Sequence, residues 1–142
     1  MHQTDLTNFI RFFEALSQEN VALLGGLYST DASFKDPFND VKGVAAIISI
    51  FEHMFTKVDS PKFVVTKHIL QGEEAFIVWD FIFKMHDKDR TEHCIHGSSH
   101  LRFAADHKVH YHRDYWDTSE ELYEKIPVLG IFMCFLKNKV RG

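Results

Sequence analysis

Three aspartates in this chain stand where an acid or a base would be useful. Asp36 lies in Ala32-Ser-Phe-Lys-Asp-Pro-Phe-Asn-Asp-Val-Lys-Gly43, between Phe34 and Pro37-Phe38 and directly ahead of an amphipathic helix. Such a carboxylate is either a turn device, accepting N–H bonds across the Asp-Pro corner, or a base held in an apolar pocket. Desolvation there pulls its pKa toward neutrality, where it can abstract a proton from an acidic carbon or activate a water. Asp80 is the sole charge within Phe76-Ile-Val-Trp-Asp-Phe-Ile-Phe83. A buried, unpaired charge is too costly to stand alone, so a partner is expected for it. Asp114 ends His110-Tyr-His-Arg-Asp114, where His110, His112 and Asp114 have the same-face spacing of a strand and so of a metal-ligand set. With ten histidines in the chain such spacing arises readily by chance, no Cys or Glu cluster accompanies it, and no metal is expected.

The elements that position these groups follow from periodicity. Asp5 or Thr4 is placed to cap a first helix in which Leu6, Phe9, Ile10, Phe13 and Leu16 recur at helical spacing. Ser17-Gln-Glu-Asn20 interrupts it, and a second helix carries Val21, Leu24, Leu27 and Tyr28. A short extended piece follows from about Ser33 to Phe38. Gly43 opens a third helix with Val44, Ile47, Ile48, Phe51, Met54 and Phe55 on one stripe. From Pro61 the period becomes that of strands, predicted over 62–70, 75–85, 91–103 and 109–116, with turns at Gln71-Gly-Glu73, His86–Arg90 and Asp106–Lys108. Thr118-Ser-Glu-Glu121 is a capping-box pattern opening a C-terminal helix, apolar from Ile126 to Leu136 and basic at its end. The strand from Phe76 to Phe83 is apolar on both faces. One face can cover the helices; the other needs a partner, so a homodimer is expected.

Composition bounds the function classes. A chain of 142 residues fits a single domain over 1–142 with a substantial core, and 14 phenylalanines make that core aromatic. A net charge of −4 gives no electrostatic reason to expect nucleic acid. Cys94 and Cys134 stand in no CxxC arrangement, so free thiols are expected. No secretory signal pattern and no run of the roughly 20 apolar residues of a membrane span is visible, which points to a cytoplasmic protein.

The order of elements, with three motifs, resembles the NTF2-like superfamily, which includes ketosteroid isomerases, SnoaL-like polyketide cyclases and limonene-epoxide hydrolases. The motifs are Tyr28-Ser-Thr-Asp-Ala-Ser-Phe-Lys-Asp-Pro-Phe38 with Lys42-Gly43, His100-Leu-Arg-Phe103 before a short turn, and His112-Arg-Asp-Tyr-Trp116. The resemblance covers nearly the whole chain. It implies an α+β cone in which a curved antiparallel sheet wraps N-terminal helices, with an apolar pocket at the open end and an extra C-terminal helix.

The motif around Asp36 is most similar to that of ketosteroid isomerase, in which an aspartate base works beside a tyrosine and a protonated aspartic acid. The resemblance gives Asp36 the base position and places the two partners on Phe12 and Ser99. Phe12 has no hydroxyl and Ser99 is a weaker donor, so steroid isomerisation itself is not implied. The family register points Phe76, Val78, Asp80 and Ile82 inward from one strand, and His110, His112, Asp114 and Trp116 from the last. That gathers Asp80, His112 and Asp114 into a cluster able to replace the missing pair, or into a structural network. The opposite register would bury Val109, Tyr111 and Tyr115 instead. The implied pocket takes Phe12, Tyr28, Phe38, Phe51 and Phe55 from the first half and Val78, Ser99, Leu101 and Trp116 from the sheet, with His53 at its border. The expected ligand is a small hydrophobic, cyclic molecule, and the expected chemistry a cofactor-free isomerisation, cyclisation or hydration. The rival expectation is a non-catalytic ligand carrier or dimeric interaction module.

Overall fold

The computed structural model of the chain describes residues 1–86 and 90–117. Helix α1 (Gln3–Glu14) buries Leu6, Phe9 and Phe13, and helix α2 (Val44–Lys57) buries Ile47 and Phe51. The six strands are β1 (Tyr28–Lys35), β2 (Asp40–Lys42), β3 (Val58–Gln71), β4 (Glu74–Met85), β5 (His93–Phe103) and β6 (Val109–Tyr115). They form one sheet in the order β2-β1-β6-β5-β4-β3, and β6 pairs with β1 in parallel while the other pairings are antiparallel. Extra residues in β3 and β6 break the ladder where the sheet curves, since a bulge bends its strand. The order leaves β2 and β3 as edges, so the curved sheet stays open. This is the expected α+β cone. The stretch expected to form a C-terminal helix and Cys134 lie outside the described residues.

Local chemistry explains the departures from the predicted elements. The second helix is a 3₁₀ helix, Val21–Gly26, that stops before Tyr28. Its end falls at Gly25-Gly26, and glycine carries a large entropic cost in a helix. Tyr28 therefore opens β1, where Tyr28, Ala32 and Phe34 are buried. Neither Thr4 nor Asp5 caps α1: the N-cap is His2, and Asp5 accepts hydrogen bonds from two imidazoles instead. Gly43 does open α2, with a φ of 105° that favours glycine and an N–H donated to the Ala32 carbonyl.

The core lies between the helices and one face of the sheet, and it is aromatic throughout. Phe13 packs edge-on to Phe51 and Phe63 at centroid distances of 5.3 and 5.9 Å, and Phe63 meets Trp79 at 6.2 Å. Among the described residues, no helix is long and apolar enough to cross a membrane.

Candidate functional site

The register of β4 decides which side chains reach the interior. Ala75, Ile77, Trp79, Phe83 and Met85 are buried, while Phe76 and Val78 remain 48 % and 44 % exposed. The expected inward set of Phe76, Val78, Asp80 and Ile82 is thus corrected by one residue, so Val78 does not line the interior. Asp80 is on the outer face, where its carboxylate accepts a hydrogen bond from His96 Nδ1 at 2.5 Å, and it does not join His112. The parity that points inward is the one free of charge, because burying Glu74, Asp80 and Lys84 would cost far more than burying either set of apolar chains.

In β6 a bulge separates the expected set. Phe103 pairs with Val109 and Arg102 with Tyr111, so His110 is the extra residue. Val109 and His112 are buried, whereas His110 and Tyr115 are exposed. The trio His110, His112 and Asp114 consequently shares no face and makes no metal set. Two other groups of three ligand-type side chains occur among the described residues: His2, Asp5 and His107, and Asp80, Cys94 and His96.

His112 and Asp114 do come together, joined by two residues of the implied pocket. His112 is 4 % exposed and lies among Phe9, Phe13 and Phe34. Its Nε2–H donates to Asp114 Oδ1 at 2.6 Å, and its Nδ1 accepts the Tyr28 hydroxyl at 2.7 Å. A carboxylate on one ring nitrogen and a hydroxyl donor on the other select the Nε2–H tautomer. Burial first, then the negative charge of Asp114, raises the Tyr28 pKa well above its usual range, so the hydroxyl keeps its proton. Ser99 donates to the same Oδ1 at 2.5 Å and accepts Trp79 Nε1–H at 2.8 Å. Trp79 reaches Ser99 because its ring lies directly over Gly97, where an added Cβ would collide with the indole. Five side chains thus form one line, Trp79, Ser99, Asp114, His112 and Tyr28. Asp114 Oδ2 accepts no hydrogen bond among the described residues.

Asp36 sits at the rim, where its carboxylate is engaged in the turn. Its Oδ1 accepts the backbone N–H groups of Phe38 and Asn39 at 2.8 and 2.6 Å, and the Asn39 amide reaches both carboxylate oxygens at 3.1 and 3.0 Å. It is the turn clasp. Burial nonetheless pushes its pKa up to about 6: the Asn39 amide and the backbone N–H bonds pull down, and the charge of Asp114 adds to the rise.

Asp114 stands between two spaces. Inside is a cavity of about 30 Å³ lined by the aromatic rings of Phe9, Phe13, Phe51, Phe63 and Trp79 with Ser99, His112 and Asp114 at its polar end. That volume holds a water or a few atoms of a ligand. Outside is an open groove of about 570 Å³ with Lys35, Asp36, Pro37, Arg113, Asp114 and Trp116 on its walls. Of the remaining implied pocket residues, Phe38 packs on Trp116 at 5.8 Å beside this groove. Phe12 and Phe55 are half-buried at the edge of the core, and Leu101 is fully buried in it; none of the three lines the cavity. His53 is half-buried on α2. The strand position of Tyr28 and the inward Trp79 were missed by sequence reasoning. The alternation Tyr28, Ala32, Phe34 and the uncharged parity of β4 are the signals that carried them.

A six-stranded open sheet curved over N-terminal helices is the architecture of the NTF2-like class. Residues 9–112 match the SnoaL-like domain family, and the chain belongs to it. Among curated proteins none matches. Solved structures similar to it include a protein with a ketosteroid isomerase-like fold from Catenulispora acidiphila in complex with trimethylamine. That likeness has a TM-score of 0.72 and 16 % identity over 85 % of this chain and 91 % of the other. A putative SnoaL-like polyketide cyclase from Shewanella putrefaciens aligns with a TM-score of 0.70 and 17 % identity over 87 % and 97 %. An M. tuberculosis epoxide hydrolase of the LEH-like type aligns at 0.68 and 10 % over 87 % and 86 %. Identities this low carry the fold alone.

Proposed function

We propose that this protein binds a small hydrophobic, cyclic molecule where groove and cavity meet, and moves a proton on it without a cofactor. The observation that carries the reading is the pair of carboxylates on one groove, with Asp36 raised to about 6 partly by the charge of Asp114. A base with a pKa near the working pH combines a populated carboxylate with useful proton affinity. Asp36 takes the proton. Asp114 offers Oδ2 to the ligand, while His112, Ser99 and Tyr28 act through it as positioning residues, since both ring nitrogens of His112 are already engaged. The reaction class is isomerisation, cyclisation or hydration, in keeping with relatives described as a polyketide cyclase and an epoxide hydrolase. Because the cavity is small, the bulk of the ligand lies in the groove, and only an edge of it enters among the phenylalanines.

A second reading rests on a specific observation: each side chain from Trp79 to Tyr28 bonds its neighbour in the line, as in a structural network, and Asp114 Oδ2 faces the groove. In that case the protein is a ligand carrier or a dimeric module. In either reading the outer sheet face, with Ile69, Phe76, Val78 and Tyr115 exposed, is the homodimer surface of a single-domain cytoplasmic protein.

A thermal-shift screen of wild type, Asp36→Asn and Asp114→Asn against cyclic enones, lactones, epoxides and steroids tests the proposal, because a ligand of the native state raises its melting temperature. A stabilising compound whose effect changes in both variants supports it and names the substrate class to assay for turnover. A screen in which no compound stabilises wild type, or in which the variants respond as wild type does, removes the enzyme reading.

A further inference from the structure

A second polar cluster lies at the start of α1, outside the cavity and the groove. The His2 ring is 3 % exposed and stacks on Phe103 at 5.4 Å with planes 11° apart, which leaves it no freedom to turn away. Its Nδ1–H donates to Asp5 Oδ2 at 2.7 Å. From the β5–β6 turn, 102 residues along the chain, His107 Nδ1–H donates to the same oxygen at 2.9 Å. Two donors thus converge on one oxygen, while Asp5 Oδ1 accepts no hydrogen bond among the described residues. His107 also has a φ of 69°, in the left-handed region, so a side chain is carried over the helix by backbone that a non-glycine residue adopts at a cost.

The three converging atoms, two imidazole nitrogens and a carboxylate oxygen, lie within 4.8 Å of one another. In a tetrahedral site with bonds of about 2.0–2.1 Å, neighbouring ligand atoms stand about 3.3 Å apart. The present 2.7 and 2.9 Å need open by only about half an ångström once the two ring protons leave and a cation takes their place. Two nitrogens and one oxygen suit a borderline first-row ion better than magnesium or calcium, which prefer all-oxygen shells. His107 is largely exposed, so a further coordination position faces water.

We propose that His2, Asp5 and His107 form a site for a divalent transition-metal ion of the zinc class, which clips the start of α1 to the β5–β6 turn. The ion takes the place of the two Nδ1 protons and each ring keeps one proton on Nε2: a neutral imidazole moves its proton from Nδ1 to Nε2, and an imidazolium releases the Nδ1 proton to solvent. The ion so joins segments at the two ends of the described chain. It is independent of the groove chemistry.

The test uses the full chain without an affinity tag and three variants. His107→Asn removes a ligand but keeps a residue that tolerates left-handed backbone. Asp5→Asn removes the shared carboxylate. Cys94→Ser weakens the competing group of Asp80, Cys94 and His96. Zn²⁺ is expected to raise the melting temperature of wild type and of Cys94→Ser, and Co²⁺ to give both a visible ligand-field band. Both signals are expected to be lost in His107→Asn and Asp5→Asn, with Zn²⁺ affinity falling by no less than the roughly 10–100-fold that loss of an outer-shell group costs. The site is overturned by wild type showing neither signal at millimolar ion, by an unchanged response in His107→Asn, or by loss in Cys94→Ser alone.

Discussion

The two faces of β4, β5 and β6 carry the same chemistry to different ends. On the inner face His112 and Asp114 meet at 2.6 Å with side chains 4 % and 16 % exposed. On the outer face His96 and Asp80 meet at 2.5 Å, but 61 % and 30 % exposed. Distance alone would rank the outer pair as the stronger. Burial reverses the order: water competes for both members of the outer pair and screens them, whereas the inner imidazole is sealed among aromatic rings and water reaches the pair only on the groove side of Asp114. A polar group on the inner face is therefore consequential, and one on the outer face dispensable.

The largest expected effect follows from taking away the centre of the inner line. His112→Ala removes the partner of a half-buried carboxylate and of the Tyr28 hydroxyl together, and leaves a void among Phe9, Phe13 and Phe34. Breaking a buried pair from one side costs about 3–5 kcal/mol. Urea denaturation of the variant should show a loss of that order; a loss below about 1 kcal/mol, the range of exposed pairs, would erase the distinction between the faces.

Asp36 stands between the two cases, half-buried at the rim. Its folded pKa of about 6 lies above the ordinary 3.8, so the native state holds the proton more tightly than the unfolded chain does. The stabilisation is complete below about pH 3.8 and is lost as pH rises through about 6. Asp36→Asn carries no such charge. Its stability relative to wild type should therefore climb between pH 4 and pH 6 and level off above, by at most about 3 kcal/mol and less after solvent screening. The slope, and not the absolute difference, is the readout, since the substituted amide keeps only some of the hydrogen bonds to Phe38 and Asn39. A flat difference across that range would mean the turn clasp offsets the desolvation.

Gly97→Ala tests what holds the inner line in place. A methyl group there would collide with the Trp79 ring, and the indole has no flexible end to yield. Trp79 must shift and loosen its bond to Ser99. Overpacking of this kind costs about 1–3 kcal/mol. Tryptophan fluorescence should change along with the urea midpoint, and a variant with wild-type stability and emission would place the indole elsewhere.

What the sequence showed and what it hid divide along physical lines. The stripe from Val44 to Phe55, the glycine that opens α2 and, to within two residues, the limits of β4, β5 and β6 are local patterns found where periodicity put them. In contrast, β3 begins earlier, at Val58, and the extended piece expected from Ser33 to Phe38 is the end of a strand that opens at Tyr28, followed by the short β2. The order of these patterns gave helices followed by a meander of strands, and the resemblance to the NTF2-like superfamily supplied the α+β cone. The faces of β4 were harder because both parities are apolar, and a slip of one residue exchanges them wholesale. The charges at Glu74, Asp80 and Lys84 held the answer, yet the expectation that Asp80 joins His112 ran against them. The bulge at His110 has no local signature in an alternating strand. Tyr28 followed Leu24 and Leu27 at helical spacing, and the glycine pair before it and the alternation with Ala32 and Phe34 after it marked the change. The cluster of His2, Asp5 and His107 joins segments a hundred residues apart, and no window of sequence displays it.

The smallest expected effect completes the comparison. His96→Ala removes the same kind of imidazole from the same kind of carboxylate as His112→Ala does, one face away. Asp80 is left on an outer face where water can take the place of the lost donor, so the charge is never stranded. The measured change in unfolding free energy should stay within about 1 kcal/mol. A loss comparable to that of His112→Ala would mean the outer face is itself covered in solution, since only desolvation turns an exposed pair into a costly one. Repeating the His96→Ala measurement over a range of protein concentration then separates a second copy of the chain from any other cover: a loss that shrinks on dilution belongs to a dimer, because dimer stability depends on protomer concentration.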